Sequence, residues 1–277
     1  MLTYIDEEFK ETINIPKIEA ACNYSYRNIN RIFEAINHET IGKYIKRIRL
    51  EKAAQYLKYT HENISEIAYE VGYADVAVFS KAFKKKFNCS PSKFRERNKH
   101  IQHHDPVVPE DTKNTNYFDV SFEIETLPDM TILGLEYKGS YEDLKSIDKT
   151  WKQLIWYASK KRLLDDTTIH FAEILDDDEI TEHIKCRYTS AIVLEDDSQF
   201  EPNGFFVKKI IKSRKYAKFS HKGTHESCMD TYGKIYANWM TEIQLEMSDA
   251  PVLEFYLNDE THDSSENLIT EIYIPIA

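Results

Sequence analysis

Apolar residues recur at helical spacing through the first hundred positions and at alternating spacing after residue 117. From Ile41 to Leu57 the pattern puts Tyr44, Ile45, Ile48, Ala53 and Leu57 near one face. Lys43, Lys46, Arg47, Arg49 and Lys52 fall largely outside that stripe, which predicts a long amphipathic helix with a basic exposed side. Two similar passages flank it, Ile15–Phe33 and Ile64–Phe83. Ile15 matches Ile64, Ile18 matches Ile67 and Tyr24 matches Tyr73, while Phe33 matches Phe83 after one extra residue. Each passage predicts a short helix, a tight turn and a second helix. Asn23 and Gly72 tolerate the left-handed backbone of the turn, and Ser25 and Asp75 stand as N-caps. The pattern is a duplicated helix-turn-helix.

After residue 117 the alternation predicts strands over 118–127, 131–137, 169–175 and 186–194, with a helix over 141–161. The series then recurs as strands 207–211 and 215–221, a helix 225–246, and strands 252–257 and 268–275. Lys138-Gly139-Ser140 matches Lys222-Gly223-Thr224. At an offset of 81, Glu173 matches Glu254 and Tyr188-Thr189 matches Ile269-Thr270. This predicts two strand-helix-strand-strand repeats, with helices on one side of an antiparallel sheet and a ligand groove between the repeats. The fold expected is therefore two domains: an all-α one over 1–98 and an α+β one over 117–277, joined by a polar linker at 99–116.

Charge changes the picture only when it is divided. The whole chain carries a net −11, which taken alone argues against a polyanionic partner. Residues 1–99 hold 18 Lys and Arg against 13 Asp and Glu, a net of +5, so the deficit of −16 belongs to the rest. A basic helix-turn-helix pair predicts duplex DNA as its partner. The N-terminal side chains of the second helix in each unit would meet base edges. These are Arg27, Asn30 and Arg31 in the first unit, and Val76, Ala77, Ser80 and Lys81 in the second. Lys84, Lys85 and Lys86 follow and suit phosphates. Ile29, Ile32, Phe33, Val78, Phe79, Ala82 and Phe83 are expected in the core.

In the acidic half, Glu254 lies within an apolar strand, with Val252 and Tyr256 on its face and Glu173 as its apparent counterpart. Trp151, Trp156, Tyr157, Tyr232, Tyr236 and Trp239 stand on the predicted helices. A carboxylate among aromatic faces suits an organic cation. The ligand set expected is Glu254, Glu173, Trp151, Tyr157, Tyr236, Trp239 and Tyr256. Cys22, Cys89, Cys186 and Cys228 form no Cys-x-x-Cys pair, and His103-His104 lack further ligands. No metal site, catalytic set or cofactor is expected. The start lacks signal-peptide character and no apolar run is long enough to span a bilayer, so a cytoplasmic protein without a membrane partner is expected.

Three stretches of the first hundred residues, Tyr44–Leu57, Ile64–Tyr73 and Phe79–Arg95, resemble the DNA-binding domain of the AraC/XylS family of transcription regulators. The resemblance implies two subdomains joined by the long helix, base reading by the seven residues just named, and RNA polymerase as a partner. Val76-Ala77-Val78 departs from the polar start usual in the second recognition helix, which implies thymine methyls or phosphates as its contacts. Residues 117–277 resemble a GyrI-like effector-binding domain through Leu135–Tyr141, Asp176–Thr181, Lys185–Tyr188, His221-Lys-Gly223, Pro251–Asn258 and Thr270–Ile276. That resemblance implies a pocket carboxylate at Glu254 for lipophilic or cationic compounds. The function expected is a sequence-specific, ligand-responsive transcription regulator. The alternatives are a small-molecule hydrolase with Glu254 or Glu173 as general base, and a drug-sequestering module.

Overall fold

The computed structural model describes residues 4–5, 8–99, 121–194, 200–239, 243, 245–258 and 263–277. Residues 100–116, most of the expected linker together with His103 and His104, lie outside the described residues. The chain divides into two compact units, 1–104 and 105–277.

In the first unit, α1 (Ile15–Cys22) and α2 (Tyr26–Asn37) form one helix-turn-helix. Then come the long α3 (Ile41–Tyr59), the second pair α4 (Ile64–Glu70) and α5 (Val76–Phe87), and α6 (Pro91–Lys99). Local chemistry places the boundaries. Asn14 accepts the Lys17 N–H at 3.0 Å, and Asn23 ends α1 at φ +54°. Asp75 accepts the Val78 N–H at 2.8 Å, and Asn88 ends α5 at φ +57°. Ser25 precedes α2 but its side chain makes no cap bond; the Glu19 carboxylate takes the Tyr26 N–H at 2.6 Å, and the Asn28 N–H goes to the Ser25 carbonyl at 2.9 Å. Gly72 is required in the second turn: its φ is +84°, and a Cβ there would lie 2.2 Å from the Lys10 carbonyl oxygen.

Ile18, Ile29 and Phe33 pack with Ile41, Tyr44 and Ile48 of α3. Phe79, Phe83, Phe87 and Phe94 form an aromatic chain in the second half. The expected basic side of α3 is only partly exposed. Lys43 and Lys46 face solvent, but Arg47 is buried between Glu39 and Glu51, at 2.9 and 2.8 Å. Burial works against the Arg47 charge, yet Glu51 and Glu39 outweigh it and hold the guanidinium above its ordinary pKa. Glu51 also binds Lys86 of α5 at 2.9 Å. Arg49 donates to the carbonyls of Phe9, Lys10, Glu11 and Gly72, tying the chain before α1 to the second turn.

Among its described residues the second unit forms an eight-stranded sheet in which every pairing is antiparallel. Its strands are β1 (Glu123–Leu127), β2 (Met130–Lys138), β3 (His170–Ile174) and β4 (Arg187–Val193). They are followed by β5 (Phe206–Ile211), β6 (Arg214–Lys222), β7 (Val252–Tyr256) and β8 (Ile269–Pro275). The order is β1-β6-β8-β7-β3-β4-β2-β5. Each repeat thus opens on an additional strand, and that strand crosses to the other repeat: β1 pairs with β6, and β5 with β2. Helix α7 (Leu144–Lys161) packs Leu154 and Ala158 on Leu133, Leu135 and Ile192. Helix α8 (His225–Asn238) packs Ile235 on Ala217, Phe219 and Ile272. Cross-strand register puts all these contacts on one face. Among the described residues of this unit, the other face carries no helix. Leu127 and Tyr216 from one edge and Met130, Ile132 and Ile211 from the other share one core cluster there, so the sheet curls round that face.

The repeat register differs from the expected one by a single residue. His170–Ile174 corresponds to Val252–Tyr256, and Arg187–Val193 to Ile269–Pro275, an offset of 82 rather than 81. Ala172 and Glu254 are direct cross-strand partners, so the pseudo-twofold axis between the repeats passes through that pair. The counterpart of Glu254 is Ala172. Glu173 pairs with Leu253 and points to the opposite face, because a one-residue shift in a strand reverses every side chain.

Candidate functional site

Two regions bring chemistry together, one in each unit. In the first, Arg27 and Arg31 are exposed one turn apart on α2. On α5, Ala77, Lys81, Lys84 and Lys85 are exposed and Val76 and Ser80 are half-buried. Lys86 is held by Glu51 and is not available to a phosphate in the way its neighbours are. The Asn30 amide oxygen accepts the Ile41 N–H at 3.0 Å, which joins α2 to the start of α3. The bond occupies one lone pair of the amide oxygen and fixes the orientation of the side chain, whose amide nitrogen is not part of this cap. Ile32 and Val78, expected in the core, are 44% and 59% exposed. Val78 instead lines an open groove with Gly42, Ile45, Lys46 and Tyr73. The exposed start of α5 is therefore apolar, as its sequence implies.

In the second unit Glu254 is 9% exposed and lies on the helix-bearing face. Tyr232 of α8 donates to its Oε1 and Tyr256 to its Oε2, each at 2.7 Å. With its proton directed to Glu254, the Tyr256 hydroxyl accepts from Tyr188 at 3.1 Å. Tyr188 in turn accepts from Trp151 Nε1 of α7 at 2.9 Å. The result is a one-way relay from Trp151 through Tyr188 and Tyr256 to the carboxylate. Burial, then the Glu254 charge, pushes the hydroxyls of Tyr188, Tyr232 and Tyr256 well above the ordinary tyrosine range, so they remain donors. Burial and Glu254 likewise keep Cys228 a neutral thiol.

Aromatic faces enclose the group. Trp151 meets Tyr256 edge to face at 5.6 Å between ring centroids, and His225 meets the same ring at 5.1 Å. Tyr232 stacks on Tyr236 at 6.0 Å. Among the described residues no Lys, Arg or His forms an ion pair with Glu254. Two charge-assisted hydrogen bonds hold the carboxylate, and the remaining lone pairs and the aromatic surround favour a cation.

Glu254, Trp151, Tyr236 and Tyr256 thus belong to one cluster. Three expected residues do not. Glu173 is on the other face, buried and 2.9 Å from Lys209, where it adds to the burial that pushes Tyr216 up to about 12. Tyr157 stacks on Phe206 at 3.8 Å and donates to Asn203, within the α7 core. Trp239 is 0% exposed in the α8 core and donates its Nε1 to the Leu245 carbonyl. Tyr188 was not among the expected ligands; its signal was available in the alternation of β4, which puts it beside Ile174 on the helix face. Other family-like residues are architectural. Arg187 grips Asp176 through bonds of 2.8 and 2.7 Å, and Tyr141 donates to the carbonyls of both.

Among the described residues no group of three or more His, Cys, Asp or Glu could hold a metal ion, and no helix is long and apolar enough to cross a membrane.

Each unit has relatives among known proteins. Residues 121–277 match the model of the GyrI-like small molecule binding domain, and residues 18–97 match a helix-turn-helix domain. The regulatory protein SoxS of Escherichia coli is 34% identical over 97 residues, covering 35% of this chain and 91% of that protein. The transcriptional regulator Rob of Salmonella typhimurium is 22% identical over 291 residues, covering 100% of this chain and 96% of that protein. Among solved structures, SAV2435 bound to tetraphenylphosphonium is 18% identical, covering 57% of this chain and 94% of that one, with a TM-score of 0.41. The chain belongs to the AraC/XylS family of DNA-binding transcription regulators and carries a GyrI-like domain; it is a regulator rather than an enzyme.

Proposed function

We propose that this regulator reads a bipartite DNA site and changes its output when a lipophilic cation occupies the Glu254 cluster. The observation that carries the reading is a buried carboxylate held by two tyrosine hydroxyls, framed by aromatic rings and without a basic partner among the described residues. Such a site attracts an organic cation through charge and cation–π contact, about 2 kcal/mol or more when desolvated. Arg27 and Arg31 would read bases in one major-groove segment, with Ala77, Val76, Ser80 and Lys81 facing the next and Lys85 on phosphate. RNA polymerase would be the partner through which occupancy reaches transcription, and the cytoplasm the compartment in which all three meet.

The test uses tetraphenylphosphonium as the probe. Binding to the full chain is measured by calorimetry, with and without Glu254→Gln, which keeps the size and removes the charge. The rings remain in this variant, so the loss reports the charge alone: about 2 kcal/mol for a cationic centre about 8 Å from the carboxylate at an effective dielectric constant near 20, or roughly 30-fold in affinity. The same probe is then added to the chain bound to a duplex selected from a random pool, and a shift in DNA affinity or in transcription in vitro is expected. Equal binding by wild type and Glu254→Gln would overturn the assignment.

A further inference from the structure

Ser190 of β4 lies opposite Leu135 on one side and Ala172 on the other, and Ala172 lies opposite Glu254. Residues directly opposite share a face, so Ser190, Ala172 and Glu254 form a row across three strands beneath the helices. At about 4.8 Å per strand, the two ends of the row are roughly 10 Å apart. Ser190 is 0% exposed, and its Oγ has no hydrogen-bond partner among the described residues. The hydroxyls beside it behave differently: Tyr188, two residues along the same strand, is fully engaged in the relay to Glu254.

The pseudo-twofold sharpens the contrast. At the offset of 82, Ser190 corresponds to Ile272 and Ala172 to Glu254. Where the second repeat puts two large side chains, the first puts two small ones, and one of those carries an unmatched hydroxyl. A buried hydroxyl without a partner is costly, and an apolar residue of similar size would avoid that cost. The small, polar half of the row adjoins Tyr188 and the overlying Trp151, on the same side of the sheet as Glu254.

We infer that Ser190 is the second pole of the effector site. It hydrogen-bonds a hydroxyl or carbonyl carried by a ligand whose cationic centre sits at Glu254, and Ala172 provides the room between them. The ligand class is an amphiphilic cation with a polar group on a short apolar arm, rather than a purely lipophilic cation. This rests on the reading of Glu254 given above.

The test is a matched pair of probes, hexyltriphenylphosphonium and (6-hydroxyhexyl)triphenylphosphonium, titrated calorimetrically into the full chain. Wild type is expected to prefer the hydroxylated probe about fivefold, the effect of one net hydrogen bond. Ser190→Ala should abolish that preference, leave the affinity for the hexyl probe unchanged, and leave the thermal midpoint equal or higher. Glu254→Gln should weaken both probes together. A wild type without preference, or a Ser190→Ala variant that keeps it, overturns the role of Ser190 while leaving the Glu254 reading intact. If neither probe binds wild type, the Glu254 reading falls and the proposal falls with it.

Discussion

Glu51 offers the sharpest test of how the DNA-reading unit is held together. Its carboxylate lies between Arg47 of its own helix and Lys86 of α5, at 2.8 and 2.9 Å, and its side chain is 4% exposed. Replacing it by alanine leaves two cations facing a vacated site. Arg47 keeps Glu39 at 2.9 Å, and Lys86, at 20% side-chain exposure, can turn its ammonium to water. Breaking a buried pair by removing one partner costs about 3–5 kcal/mol, and the escape open to Lys86 puts Glu51→Ala near 3. A domain of this size has a stability of roughly 5–15 kcal/mol and loses about 4–8 °C per kcal/mol. The helical unit should therefore melt about 12–24 °C lower. Urea titration of the full chain, followed by ellipticity at a helical wavelength, measures the loss directly. The double variant Glu51→Met/Lys86→Met removes one charge of each sign and keeps the Arg47–Glu39 pair, so it should recover most of the loss. A loss under about 1 kcal/mol in Glu51→Ala, against the cost expected of a broken buried pair, would refute the reasoning.

Other outcomes follow from single contacts. Asn30→Ala should cost the chain about 1 kcal/mol of stability through the lost Ile41 cap, with sequence preference unchanged, whereas Arg31→Ala should cost about 1–3 kcal/mol of DNA affinity and relax preference at one base; site selection with each variant separates the two roles. Gly72→Ala should lower helical stability by more than the roughly 1–2 kcal/mol of a left-handed alanine, since its Cβ would also meet the Lys10 carbonyl; a denaturant midpoint near wild type would contradict that. The tyrosines around Glu254 are raised by burial and by that charge, so in the folded chain they keep their protons above the value near 10 of an unfolded tyrosine. Their contribution to stability is therefore complete below about pH 10 and is lost as pH rises toward the folded values. Tyrosinate absorbance should then rise together with loss of sheet ellipticity, and tyrosinate forming near pH 10 in an intact sheet would sink the assignment.

The helices of the first unit were legible because their boundaries are local. Asp75, Asn23 and Asn88 act within a few residues of themselves, and helical periodicity names Phe33, Phe79 and Phe83 as core. Periodicity cannot say what a side chain does at the edge of its stripe. Asn30 caps a helix eleven residues on, and Arg47 and Arg49 leave an apparently basic surface to bind carboxylates and carbonyls. The strands were legible and their pairing was not, because β1 and β5 exchange between repeats and no local signal records that. Trp239, Tyr157 and Tyr232 all stand on helices beside a sheet. Only the three-dimensional register separates the tyrosine that reaches Glu254 from the two residues that fill the cores.

The one-residue slip between an offset of 81 and one of 82 carries a functional consequence. At 81 the two repeats would each supply a carboxylate, Glu173 and Glu254, to one groove. At 82 the axis runs through Ala172 and Glu254, and a symmetric floor would put two carboxylates on directly opposed residues, with Cα atoms about 4.5–5.5 Å apart. Like charges so close share a proton, as in an acid dyad, and one of the pair stays neutral near pH 7. Such a pair would aim a hydrogen-bond donor where the proposed cation would rest. Alanine at the symmetric position removes that coupling. It leaves one carboxylate on the axis, within reach of a tyrosine from its own strand and of another from α8. A duplicated scaffold thereby presents one buried carboxylate rather than two at its centre, and the asymmetry between Ala172 and Glu254 suits the proposed binding of a single cation.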